Sequence, residues 1–136
     1  MRIERIDHVV LNVRDVEVAA EWYVRVLGME RVEFSPGGAN QAPRVALSFG
    51  RQKLNLRPVD TNPAAWPTAG NAARGSDDLC FITEAEPPET VAHLRACGVE
   101  IVDGPVRKQG ALGPMTSVYC RDPDGSLIEI AAYPKP

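Results

Sequence analysis

Cysteine is scarce and unpaired in this chain: Cys80, Cys97 and Cys120 are the three in 136 residues, and none stands in a Cys-x-x-Cys spacing. That pattern excludes a disulfide framework and a thiolate zinc site. The three are expected as buried small hydrophobes, the usual station of a free cysteine. Long apolar runs are also missing. None approaches the roughly 20 residues of a membrane-spanning helix, and Met1-Arg2-Ile3-Glu4-Arg5-Ile6 has neither the apolar core nor the cleavage site of a signal peptide. The default compartment is therefore the cytoplasm, with no membrane partner. Charge of one sign is not concentrated anywhere. The net charge is −3 and Lys and Arg are scattered, which removes the electrostatic footprint of a nucleic-acid binder.

A core is present: 44% of residues are hydrophobic and 24% charged, the balance of one compact domain, 1–136. Near the C-terminus, Asp122-Pro123-Asp124-Gly125 places Pro and Gly where a tight turn needs them, and β-prone residues flank it on both sides. Two antiparallel strands joined by a hairpin are expected. Alternation puts Leu127, Glu129 and Ala131 on one face of the last strand. A carboxylate there costs several kcal/mol unless a cation, a metal or hydrogen-bond donors meet it.

From the N-terminus, Arg5 to Val13 reads as a strand with His8 on one face. By itself this histidine reads as a core or edge residue satisfied by the backbone. Asp15 offers an N-cap for a helix from Val16 to Leu27, with Val16, Ala20, Tyr23 and Leu27 at helical spacing and Gly28 as the stop. Trp22 and Tyr23 read as packing residues. Strands follow at Met29 to Phe34, Arg44 to Phe49 and Gln52 to Arg57, with a breaker-rich turn from Ser35 to Asn40 and Pro58 ending the last. The segment 58–76, rich in Pro, Ala, Gly and Asn, reads as a linker, with Trp66 packing down or covering a ligand. Asp77 to Thr83 restarts as a strand with Asp78, Cys80 and Ile82 on one face. Pro87-Pro88 opens a helix with Val91 and Leu94 buried, and Gly98 stops it. Gly104 to Pro114 reads as a loop, a connector or a cavity cover; no helix of P-loop pattern follows it.

The two halves correspond. Leu27-Gly28-Met29-Glu30 and Cys97-Gly98-Val99-Glu100 each end a helix and begin a strand, about 70 residues apart, and the same offset carries His8 onto Asp78. Strand, helix, strand, strand, strand occurs twice, in a first module of about 1–60 and a second of about 77–136.

Ile6-Asp7-His8-Val9-Val10, the helix end Tyr23 to Met29 and the close Arg121-Asp122-Pro123-Asp124-Gly125-Ser126-Leu127-Ile128-Glu129-Ile130 together resemble the vicinal oxygen chelate superfamily of glyoxalases, bleomycin resistance proteins and extradiol dioxygenases. Gln52-Lys53-Leu54-Asn55-Leu56 and Asp78-Leu79-Cys80-Phe81-Ile82-Thr83 look like its virulence-type members. The resemblance implies an α+β fold of two βαβββ modules in tandem, whose curled mixed sheets enclose a cavity. It implies a divalent metal ion (Mn, Fe, Ni, Zn or Mg) held by His8 as neutral nitrogen ligand and by Asp78 and Glu129 as anionic ligands, with Glu129 also catalytic. It implies a small oxygen-rich substrate met by Arg57, Asn55, Trp66, Cys80 and Tyr119, and a homodimer. A metal-free sequestering protein of bleomycin-resistance type is the alternative. The chain departs from the family at two positions, with Arg57 where relatives often carry histidine and Asp78 where many carry histidine. Arg57 is expected either as an orienting cation for a substrate carboxylate or as a charge that pairs with Glu129 or Asp78 in place of the metal.

Overall fold

The computed structural model describes residues 1–37 and 42–136, so the part of the Ser35 to Asn40 turn from residue 38 on lies outside the described residues. The chain divides into two compact units, Met1–Gly75 and Ser76–Pro136, with the boundary at the end of the linker.

The first unit runs β1 (His8–Val13), α1 (Val16–Leu27), β2 (Glu30–Phe34), β3 (Arg44–Phe49) and β4 (Gln52–Pro58). Its sheet has the order β1-β4-β3-β2, with β1 parallel to β4 and the other neighbours antiparallel. β1 begins at His8 rather than Arg5, and Pro58 is the last residue of β4. A proline at a strand end forfeits little, because its missing N–H would have had no further ladder to join. Asp15 caps α1 by accepting from the Val18 N–H at 3.1 Å, and Gly28 closes it in the left-handed region at φ 66. The Met29 N–H then donates to the Tyr23 carbonyl at 3.3 Å, which satisfies one of the carbonyls a helix end leaves open. The buried face is Ala19, Ala20, Trp22, Tyr23 and Val26, rotated from the expected stripe. Val16 and Leu27, at the helix ends, are half-buried. Trp22 and Tyr23 pack edge to face with centroids 4.9 Å apart. Against this helix the sheet presents Leu11, Val13, Leu47, Leu54 and Leu56, all buried.

The second unit repeats the plan: β5 (Asp78–Ile82), α2 (Pro87–Ala96), β6 (Asp103–Gly110), β7 (Gly113–Arg121) and β8 (Leu127–Ala132), ordered β5-β8-β7-β6 with β5 parallel to β8. The expected hairpin is present. Gly125 sits at φ 96, and Asp122 Oδ1 accepts from the Asp124 and Ser126 N–H groups, each at 2.9 Å.

Three expectations are corrected in this unit. Gly104 to Pro114 is not a loop but most of a β-hairpin, in which β6 pairs with β7 from Val106↔Ser117 to Gly110↔Gly113. Its glycines and prolines obscured the strand, but cross-strand pairing outweighs local propensity. On α2 it is Thr90 and Leu94 that are buried, while Val91 is half-buried. Of the cysteines only Cys120 is buried; Cys97 is half-buried and Cys80 exposed, because the β5 face that carries Cys80 is turned away from α2.

Gly104 is a point of close backbone approach in the hairpin. It sits at φ 96, and a Cβ there would collide with the Ser117 carbonyl oxygen and lie 3.0 Å from the Val118 Cα. Gly104→Ala is expected to cost about 2 to 5 kcal/mol, the sum of a left-handed side chain and an overpacked contact. Gly125→Ala, with the same φ but open space, is expected to cost about 1 to 2 kcal/mol. Thermal melts of the two variants check the difference, and equal losses would mean that the collision relaxes away.

Candidate functional site

In the first unit the polar face of the sheet carries His8, Val10 and Asn12 from β1 beside Lys53, Asn55 and Arg57 from β4, paired in that order. The lateral neighbour of His8 is therefore Lys53. Arg57 lies four residues further along β4, about 13 Å at the rise of a strand. His8 is exposed, and its Nδ1 lies 2.8 Å from Asp7 Oδ2. That hydrogen bond holds the Asp7 carboxyl below the usual range and, with Nδ1–H donating, leaves Nε2 of His8 open to a ligand. The Lys53 ammonium is drawn over the Phe34 ring, 4.0 Å from its centroid. Asn55 is buried, and its Oδ1 has no hydrogen-bond partner.

Arg57 is 1% exposed and turned to the linker. Its Nε and Nη2 donate to the Trp66 carbonyl at 3.1 and 3.0 Å, and Nη2 also donates to the Thr61 carbonyl at 2.7 Å. Nη1 donates to Asn12 Oδ1 at 2.8 Å and reaches the Pro58 and Val59 carbonyls, each at 3.4 Å. Asn12 in turn donates from Nδ2 to Thr68 Oγ1 at 3.1 Å. This corrects the expectation of an orienting cation. Every polar atom of the guanidinium already serves a backbone or amide oxygen, so meeting a substrate carboxylate would require several of these bonds to break. Trp66 is half-buried, with the Arg44 guanidinium 3.7 Å from its ring centroid.

In the second unit the matching face carries Asp78 and Cys80 of β5, both exposed, with Glu129 of β8 and Tyr119 of β7. Cys80 pairs with Glu129, and Glu129 with Tyr119. One oxygen of Glu129, Oε1, is buried without a hydrogen-bond partner. Partial desolvation by the neighbouring strands, then the Glu129 charge and the Glu129 carboxylate as acceptor, push the Cys80 thiol up to about 11. Burial, then Glu129 as acceptor and as charge, push the Tyr119 hydroxyl up to about 12. Both groups are therefore protonated donors at neutral pH.

Because its thiol is held protonated, Cys80 is expected to react slowly with iodoacetamide at pH 8 and to accelerate only as pH rises through about 11. In Glu129→Gln the midpoint should move down toward the ordinary 9.0. Peptide mapping across a pH series reads this residue by residue, and an unshifted Cys80 in the wild type would contradict the proximity. The same sign applies to stability. Cys80 and Cys120, both raised from 9.0 to about 11, contribute stability that is present below pH 9 and lost as pH climbs through 11.

The two faces share a register. Val10 pairs with Asn55 in the first unit and Cys80 with Glu129 in the second, so Asn55 and Glu129 are internal counterparts, and each carries a buried oxygen with no partner. Sequence reasoning found both residues but not their equivalence, which the matched strand pairs alone reveal. It also missed Asp7 and Asn12; the Asp7-His8 adjacency was the available signal for the first. Within neither unit do three or more His, Cys, Asp or Glu side chains group as a ready cation site among the described residues. Within the second unit alone, Asp78 and Glu129 stand on one sheet face as carboxylates, the oxygen-donor type that hard and borderline divalent ions take.

Comparison with known proteins adds an independent line. The family model described as Glyoxalase/Bleomycin resistance protein/Dioxygenase superfamily matches residues 5–130. Virulence protein STM3117 of Salmonella typhimurium is 43% identical over 133 residues, covering 98% of this chain and 87% of that protein. Among solved structures, an integron cassette protein from V. cholerae is 43% identical with a TM-score of 0.89 and covers 98% of both chains. A lactoylglutathione lyase from Agrobacterium tumefaciens is 26% identical with a TM-score of 0.71, covering 97% of this chain and 96% of its own.

Proposed function

Because the chain belongs to the glyoxalase/bleomycin resistance protein/dioxygenase superfamily, we propose that it is a metal-dependent enzyme of glyoxalase or dioxygenase type. Its substrate is a small oxygen-rich molecule that chelates through neighbouring oxygens. The observation that carries this reading is the matched pair of buried, unpartnered oxygens on Asn55 and Glu129. A buried carboxylate oxygen without a donor is costly, and a cation is the partner that offsets it best.

His8 through Nε2, and Asp78 and Glu129 through their carboxylates, are the residues that would hold the ion. When bound, a divalent ion (Mn, Fe, Ni, Zn or Mg) polarises the substrate's two oxygens. Asp7 orients the His8 ring. In this reading Glu129 accepts a proton from carbon beside a substrate carbonyl, while Cys80 and Tyr119, kept protonated, donate hydrogen bonds to Glu129 or to a substrate oxygen. Asn55 offers an amide oxygen to a substrate hydroxyl.

One feature favours a second reading. The first unit's member of the matched pair is a neutral amide, which suits a hydroxyl or amine donor as well as it suits an ion, and that is what a metal-free binding protein needs. Elemental analysis of the purified protein, followed by ion titration and a screen of hemithioacetals and catechols, separates the two. Uptake of about one ion per chain with ion-dependent turnover supports the enzyme; ligand binding without ion uptake supports the second reading.

β1 and β5 stand at the edges of their sheets, and exposed strand edges invite pairing. A homodimer is the expected assembly, and sedimentation velocity at micromolar concentration showing a monomer would overturn it.

A further inference from the structure

We propose that the groove between the start of β3, the end of β4 and the linker is a separate binding site for a small organic carboxylate with an apolar body. The groove encloses ≈ 440 Å³, and Pro43, Leu56, Pro58, Ala65 and Trp66 supply apolar walls with Arg44 among them. That volume lies in the range of small-molecule sites, about 300 to 1,000 Å³.

What selects the ligand is Arg44. Its guanidinium carbon lies over Trp66, 3.7 Å from the ring centroid, and the group makes no hydrogen bond or ion pair among the described residues. The four residues outside that description, 38–41, are Gly, Ala, Asn and Gln and bring no acid. The contrast with Arg57 is direct, since both guanidinia lie near the same indole and, among the described residues, only Arg57 has its donors consumed. A stacked guanidinium with an open edge is pre-oriented for bidentate recognition of a carboxylate, and the apolar walls reward an alkyl or aryl body. Helix α1 begins at the groove, at Val16, but its N-terminus is already capped by the Asp15 carboxylate, so the anion's partner is Arg44 rather than the helix start.

This site is independent of the proposed metal chemistry. Arg44 belongs to the Arg57 end of the polar face, where Val45 pairs with Leu56, whereas His8 lies at the other end beside Lys53.

2-Naphthoate serves as the probe, with 2-naphthamide as its neutral isostere. Binding is read by calorimetry and by the indole N–H signals of the chain's two tryptophans, assigned through Trp22→Phe. Saturable binding of naphthoate that moves Trp66 and leaves Trp22 still is expected, with naphthamide weaker by about tenfold or more. Arg44→Gln should lose that preference, and Arg44→Lys should keep part of it. Glu129→Gln should bind naphthoate as the wild type does, so loss of ion uptake in that variant leaves this proposal standing. Equal affinity for acid and amide would overturn it, as would no saturation below about 1 mM or signal changes at Trp22 alone. The acid-amide comparison needs no variant, so a misfolded Arg44→Gln would not rescue the proposal.

Discussion

Replacing Arg57 by methionine is expected to lower stability by about 3 to 5 kcal/mol, a drop in melting temperature of roughly 10 to 20 °C for a chain of this size. Methionine fills much of the volume but leaves the Thr61 and Trp66 carbonyls and Asn12 Oδ1, now served by the guanidinium, without a donor in a region where Arg57 itself is 1% exposed. Lysine should recover little. One ammonium on a flexible stem cannot span three acceptors that a planar fork reaches at once. Since the partners are carbonyls and an amide, not carboxylates, the loss should be insensitive to salt and to mild acid. Melts by circular dichroism at low and high ionic strength check both points. A wild-type melting temperature for Arg57→Met would mean that water replaces the guanidinium without penalty.

Glu129→Gln should have the opposite signature. Ion affinity and any ion-dependent turnover should fall by about a hundredfold or more, because a neutral amide is a poor substitute for an anionic ligand. Melting temperature should hold or rise, since the variant neutralises a carboxylate whose Oε1 is buried without a partner. A variant that lost stability while retaining ion uptake would place Glu129 in the scaffold and not in the site.

Much of this was legible in the sequence because its signals are local. The capped helix at Asp15 and Gly28, the turn at Asp122 to Gly125 and the repeated strand order all follow from residues within a few positions of each other. What escaped depends on partners distant in sequence. The strand from Asp103 to Gly110 exists because β7 pairs with it, and a Gly- and Pro-rich stretch cannot announce that. The placement of Arg57 escaped for the same reason: alternation told which strand face it shares with Asn55, but not that the linker folds back so that Thr61 and Trp66 offer their carbonyls. For the candidate site, His8, Asp78 and Glu129 were found as residues, whereas the matched burial of Asn55 and Glu129 required knowing which strands pair.

The parallel pairing of first and last strands also bears on how the chain acquires its structure. His8 aligns with Lys53 and Asp78 with Leu127, so in each unit the opening strand has no partner until the closing strand arrives, and a long loop must close before that pairing yields any stability. The antiparallel hairpins β3-β4 and β7-β8 can form first and present an edge that the opening strand then joins. During synthesis the first unit holds all its own strands once residue 58 has emerged, while the second must wait for residue 132. The strands that carry His8 and Asp78 are thus the last in their sheets to be secured, so that damage to β8 also leaves β5 without its partner.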